Sequence, residues 1–307
     1  MSFVPVCPAP AVALAGVWNA RLFGLFFPLM TLVEGIAIAA SVPALRRLRR
    51  VSRGVYSNFN EEKILAGYIE KFLSSKRQCT AVDLGAGDGI RHSNTHALFA
   101  AGWRGLVVDS DSDRFAKLAR TYRGYEQVFA SRCRVSPYNV ISLLETYEVP
   151  TEFEVLSLDI DSYDYWVLDS LLRRFRPRLI VSEINEKIPP PVKFVVNYDP
   201  DFTLQHHFYG QSLASLEELC RQHSYALIEL EYNNAFLAPR ELRGVRHIDA
   251  DTAYRAGYLD RPDRLKKLPL NRDMESLHSM SPRDVVGFLN KFFARHKGKY
   301  QMSTGEA

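Results

Sequence analysis

The sequence predicts an α/β chain with a doubly wound, mostly parallel sheet of seven strands that closes in an antiparallel hairpin. Three observations carry this. Short apolar runs of strand length alternate with helical segments from about residue 80 to residue 223, the pattern of strands joined by helical crossovers. The first run ends in the glycine-rich turn Gly85-Ala86-Gly87-Asp88-Gly89. Two last strands follow one another almost directly across Tyr232-Asn233-Asn234, which is hairpin material.

Taken in order, Asn58-Phe59-Asn60-Glu61-Glu62 opens a helix, with asparagines suited to the cap, acids to the first turn, and Ile64, Leu65, Tyr68, Ile69, Phe72 and Leu73 at helical spacing. Thr80–Leu84 reads as the first strand. A helix capped by Ser93 or Asn94 runs to Ala101, where Gly102 ends it. Leu106–Val108 is the second strand, ending on Asp109, and Asp113–Tyr122 a helix. A third strand near Gln127–Ala130 precedes the helix Val140–Tyr147. Phe153–Asp161 is the fourth strand, Tyr165–Arg174 a helix, and Arg178–Ile184 a fifth strand with the near-continuous apolar content of a buried parallel strand. The helix Ser212–His223 and the strands Tyr225–Glu231 and Ala235–Leu237 complete the set. Beyond Arg240 the chain reads as polar and irregular until Ser281-Pro282-Arg283-Asp284 starts a last apolar-faced helix to about His296. The tail from Lys297 reads as loose.

This divides the chain into residues 1–54, a globular domain over 55–240 and a polar extension over 241–307. With 307 residues, 47% hydrophobic, the chain can bury a full-sized core. The net charge of +4 is concentrated in Arg46-Arg47-Leu48-Arg49-Arg50-Val51-Ser52-Arg53 rather than spread over a face, so no nucleic-acid partner is expected. Cys7, Cys79, Cys133 and Cys220 lack paired spacing, which fits a reducing compartment without a disulfide framework or cysteine zinc site. From Ala11 to Leu45 the only charges are Arg21 and Glu34. A signal peptide would carry its positive charge before the apolar stretch, not after it. The order favours membrane association through residues 11–53, as a spanning or re-entrant anchor with the arginines on the cytoplasmic side, or as an interfacial segment on an anionic surface. The competing reading is a helical hairpin packed on the domain or on a second copy. The expected location is the cytoplasm, at the inner face of the membrane; a homo-oligomer is left open.

The glycine turn after the first strand lets a ligand approach the main chain. Asp83 precedes it, and Asp109, with Ser110 next to it, closes the following strand, where a carboxylate can accept hydrogen bonds from a ribose diol. The spacing is GxGxG, and polar Arg91-His92-Ser93-Asn94 intervenes before the helix. A dinucleotide site would show GxGxxG with the helix directly after it. The departure points to S-adenosylmethionine, which has no pyrophosphate needing a helix N-terminus. The expected fold is therefore the Rossmann-like class I methyltransferase fold, with Asp83, Gly85, Ala86, Gly87, Asp88, Asp109, Ser110, Val135, Ser136 and Asp159 as cofactor-binding residues.

Several motifs also resemble a known group. Tyr56-Ser57-Asn58-Phe59-Asn60-Glu61-Glu62-Lys63-Ile64-Leu65 is similar to the "YSQNGEDGIL" opening of FkbM-like methyltransferases. Gly85–Ile90 matches their "GAGDGI", Gly102–Leu106 their "GWKGL", Leu158–Val167 their "IDIDGNDYWV", and Glu183-Ile184-Asn185 is close to "EYN". Tyr198-Asp199-Pro200, Tyr209–Leu213 and Asn234–Leu237 follow "YDP", "YGASL" and "NAFF" in the same order. Asn58, Asn60 and Ser162 depart from the pattern, and the N-terminal segment and C-terminal extension lie outside it. The resemblance implies O-methylation of a sugar or polyketide-like hydroxyl.

At the strand ends, Asp161, Glu183 and Asn185 are the candidate catalytic residues, with His207 a candidate base from the following loop. So many acids together repel unless a cation or a shared proton lies between them. Asp161, Glu183 and Asn185 are thus also candidate ligands for Mg²⁺, with a metal-free carboxylate base as the alternative. Asp164 reads as a cap for the helix that follows. The expected activity is O-methylation of a hydroxyl-bearing glycan, glycolipid or related lipid-linked acceptor. A soluble polyketide-type acceptor and a non-catalytic membrane-tethered scaffold are the competing readings.

Overall fold

The computed structural model describes residues 56–73 and 79–305. The segment expected to associate with a membrane, with its arginine cluster, lies outside them. Among the described residues no helix is long and apolar enough to cross a membrane.

The strands are β1 (Thr80–Leu84), β2 (Arg104–Asp109), β3 (Val128–Arg132), β4 (Glu152–Leu158), β5 (Arg176–Glu183), β6 (Lys193–Val196), β7 (Tyr225–Glu231), β8 (Asn234–Pro239) and β9 (Tyr300–Ser303). Seven form one sheet in the order β3-β2-β1-β4-β5-β8-β7. The first five are parallel, while β8 runs antiparallel to both β5 and β7. This is the Rossmann-like class I methyltransferase fold expected from the alternation and the terminal hairpin.

Period-two alternation divides the core between two faces. Val82, Leu84, Leu106, Val108, Leu156 and Leu158 point to one face and pack with Val140, Leu144, Val167, Leu171, Leu216 and Leu219 from three helices. Ala81, Val107, Val155, Leu179 and Val181 point to the other, against Leu65, Ile69, Leu98, Phe99 and Leu118. Because both faces are covered, the central strands carry buried apolar residues on both sides, with few polar interruptions such as Asp83 and Glu154. The opening helix, α1, spans Glu61–Phe72. Asp111 caps the helix Ser112–Tyr122 with its side chain accepting from the amides of Asp113 and Arg114.

The C-terminal extension is more ordered than its polar sequence suggests. Ala250–Tyr254 is helical and continues into a π turn at Arg255–Leu259, Pro269–Ser279 is a 3₁₀ run, and Pro282–Phe292 is a helix capped by the Ser281 hydroxyl. Val285, Leu289 and Phe293 pack with Met274, Leu277, Ile188, Phe194, Val196 and Phe208 in a third core. The tail is not loose. β9 pairs antiparallel with β6, from Lys193 opposite Ser303 to Val196 opposite Tyr300. Its side chains alternate between half-buried and exposed, so a strand this short carries too little apolar signal to read in the sequence.

Candidate active site

The sheet order reverses between β1 and β4, and a crevice opens there outside the carboxyl ends of the strands. It has a volume of about 420 Å³, within the range of small-molecule sites. Its floor is built by the glycine turn. Gly85 has φ +97°, and a Cβ there would stand 1.6 Å from the Asp159 carbonyl oxygen. Only glycine lets β1 and β4 approach so closely. The amides of Gly85 and Ala86 both donate to the Val108 carbonyl at 2.9 Å, tying the turn to β2.

Asp109 at the end of β2 is buried and has each oxygen engaged. One accepts from the Gly87 amide at 2.9 Å and the other from the Asp111 amide at 2.8 Å. A carboxylate oxygen has two lone-pair sites, so both oxygens keep capacity for a diol in the crevice. Asp83, also lining it, accepts from the Thr95 hydroxyl at 2.5 Å. Burial pushes its carboxyl up to about 6, although the Thr95 and Ser157 hydroxyls pull it back.

Most of the predicted cofactor residues line the crevice: Asp83, Gly85, Ala86, Gly87, Asp109, Ser110, Val135 and Asp159. Asp88 and Ser136 do not line it. The Asp88 carboxylate accepts from the amides of Ile90 and Arg91 and so closes the turn from outside. Ser136 is buried with its amide donating to Asn139 Oδ1. Sequence reasoning missed Arg114, Arg134, Tyr163, Phe202 and Leu204, which line the crevice too. Arg134 donates to the Phe202 carbonyl at 2.6 Å and the Tyr163 hydroxyl to the Val135 carbonyl at 3.2 Å. The Arg134 bond, with the Tyr163 ring set edge-on against Tyr198 and Phe202, binds the 197–205 loop to the crevice wall. Phe202 lies in a stretch with no periodicity, so nothing in the sequence marks it.

Just past β4 and β5, oxygens of Asp159, Asp161 and Glu183 all lie within 4.8 Å of one another. Asp161 sits at φ +55°, a left-handed conformation uncommon outside glycine. Asp164 holds it there: one oxygen accepts from the Ile160 amide at 2.8 Å, the other from the Ser162 amide at 3.0 Å. Asp164 is thus not the cap of the helix Asp164–Leu172; its acceptors face back into the loop. Burial pushes its own carboxyl up to about 6. Burial, then mutual repulsion, raises Asp159 and Glu183 well above the usual carboxylate range. Burial also raises Asp161, against the pull of Arg114 and Lys187.

Glu183 stands behind the crevice wall and accepts from Asn233 Nδ2 at 2.9 Å. Asn185 is fully buried, and its Nδ2 donates to the carbonyls of His207 and Tyr209 at 2.8 and 3.1 Å. Its Oδ1 is buried without a partner among the described residues. Asn185 therefore fixes the loop that carries His207. His207 is itself buried and is not part of the crevice lining. The structure brings Asp159, Asp161 and Glu183 together, and does not bring His207 to them.

No protein-family model matches the chain, and no curated protein does. Among solved structures, the N-terminal domain of EvdMO1, crystallised in the presence of SAH and D-fucose, is similar at 12% identity and TM-score 0.40, over 64% of this chain and 94% of that one. A SAM-dependent methyltransferase from Aquifex aeolicus is similar at 10% identity and TM-score 0.34, over 63% and 96%. An O-methyltransferase family protein from Burkholderia thailandensis is similar at 13% and 0.35, over 66% and 57%. At these identities and scores the similarities decide neither activity nor substrate.

Proposed function

We propose that the protein is an S-adenosylmethionine-dependent O-methyltransferase of the FkbM-like kind, acting on a hydroxyl of a glycan, glycolipid or related membrane-linked acceptor. The observation that carries this is the crevice itself. A glycine turn and a doubly held Asp109 line it, and beside them Asp159 and Asp161 of the lining stand with Glu183, just behind the wall, within 4.8 Å of one another. S-adenosylmethionine supplies a methyl group on a sulfonium, which an oxygen nucleophile displaces in line to leave the thioether. Asp109, held by the Gly87 and Asp111 amides, would orient the ribose over the glycine turn. The Asp159–Asp161–Glu183 group would take the proton that the acceptor hydroxyl loses as its oxygen–carbon bond forms. The raised carboxyls favour this, because a base titrating nearer neutrality shares a proton more readily.

The same three oxygens fit a divalent cation such as Mg²⁺, which would relieve their repulsion and acidify a bound hydroxyl. Activity that survives EDTA assigns the proton to the carboxylates alone. The acceptor class rests on the motif resemblance and on the apolar, arginine-flanked N-terminal segment. Methyl-label transfer from S-adenosylmethionine into lipid and polysaccharide extracts tests it. Label in the lipid-linked glycan fraction supports the proposal, label only in soluble small molecules moves the acceptor to that class, and absence of S-adenosylmethionine binding by calorimetry rejects the enzyme.

A further inference from the structure

Away from the crevice, His206 and His207 meet Asp273, which comes from the 3₁₀ run of the C-terminal extension, and one donor atom from each lies within 4.8 Å of the others. His207 has 2% of its side chain exposed. Its Nδ1 is buried without a partner among the described residues, and its Nε2 stands 3.5 Å from Asp273 Oδ2. That separation is long for a charge-assisted hydrogen bond, which closes to roughly 2.7–2.9 Å. It is, however, the spacing of two ligands on one tetrahedral ion, roughly 3.4 Å for bonds of about 2.0–2.1 Å. It is Nε2 that faces Asp273 and would take the ion, and at 3.5 Å that buried nitrogen is only loosely paired by the carboxylate. The nearby Lys187 ammonium is already occupied by Glu186 at 3.2 Å and the Tyr209 hydroxyl at 2.8 Å.

We propose that His206, His207 and Asp273 form a transition-metal site, of the zinc type, that clips the 206–209 segment to the C-terminal extension. Two imidazoles and a carboxylate are a donor set that selects zinc-like ions over Mg²⁺. His206 and Asp273 are exposed, so their side chains can close onto an ion and water can complete its shell. The ion would fasten the loop just after Phe202 and Leu204, the wall of the crevice.

The test is equilibrium dialysis of the metal-stripped full chain against Zn²⁺ alone, with bound metal counted by atomic emission. Wild type is expected to hold one Zn²⁺ that His206→Ala and Asp273→Asn each weaken by about tenfold or more, and that Asp161→Asn leaves in place. Both altered residues are exposed, so folding is not at stake. No retained Zn²⁺, or binding unchanged in both variants, overturns the site. Loss on Asp161→Asn but not on Asp273→Asn assigns the ion to the crevice carboxylates and equally overturns it.

Discussion

Replacing Asp109 by Asn tests the cofactor end of the crevice most directly. Both Asp109 oxygens already accept main-chain amides, Gly87 at 2.9 Å and Asp111 at 2.8 Å. Asparagine offers one oxygen and an amide donor, so in either orientation an N–H must face an NH₂. One hydrogen bond to a charged acceptor is lost, worth about 1.5–3 kcal/mol, and the turn that presents Gly87 loses one anchor. If the ribose diol uses the same carboxylate, the loss is felt in binding. S-adenosylmethionine affinity should fall roughly tenfold to a hundredfold, at about 1.4 kcal/mol per factor of ten. Calorimetric titration reads the affinity, and thermal unfolding of the free chain separates it from a general loss of fold. A variant that unfolds like wild type and binds within about twofold of it would refute the role given to Asp109.

Three further outcomes follow from the geometry. Gly85→Ala should leave little folded protein by circular dichroism, since its Cβ would fall 1.6 Å from the Asp159 carbonyl oxygen, just past β4, at φ +97°; a normal melting curve would contradict the close approach. Asp83, raised from 3.8 to about 6, holds its proton in the folded state where the unfolded chain has released it. Its ionisation therefore costs stability progressively as pH rises from about 4 to 7. Asp83→Asn, which cannot ionise, should gain on wild type over that range in urea midpoint, and a pH-independent difference would refute the assignment. Ending the chain at His296 removes β9 and the Lys299–Asp199 ion pair at 2.9 Å. Amide exchange in residues 197–204 should then quicken while S-adenosylmethionine binding is retained, and unchanged exchange would show that β9 does not hold the loop.

The sheet was readable because both of its faces are buried, which gives β1, β4 and β5 short apolar stretches such as Leu179-Ile180-Val181, and because β7 and β8 leave no room for a helix between them. The glycine turn and Asp109 were readable for a different reason: backbone contact with a ligand requires particular residue types at fixed offsets. Asp159, Asp161 and Glu183 stood out as acids in apolar surroundings. Asn185 and His207 were singled out as reactive groups, yet the structure uses Asn185 to hold the His207 and Tyr209 carbonyls. A hydrogen-bonding side chain looks the same in sequence whether it meets substrate or main chain. The extension was least legible, because its helices are short and irregular, and β9 gains its partner from a distant part of the chain.

The pairing of β9 with β6 also sets an order of assembly. The parallel sheet and its hairpin are complete in the chain by Pro239 and can pack while synthesis continues. The strand β6 waits for residues 300–303, so at ordinary elongation rates it stays without that partner for on the order of ten seconds after its own residues emerge. During that interval the nascent protein has its main sheet complete and the β6 edge unpaired. On the proposed function, a ribosome stalled within the extension is expected to display a chain that binds S-adenosylmethionine before β9 has emerged.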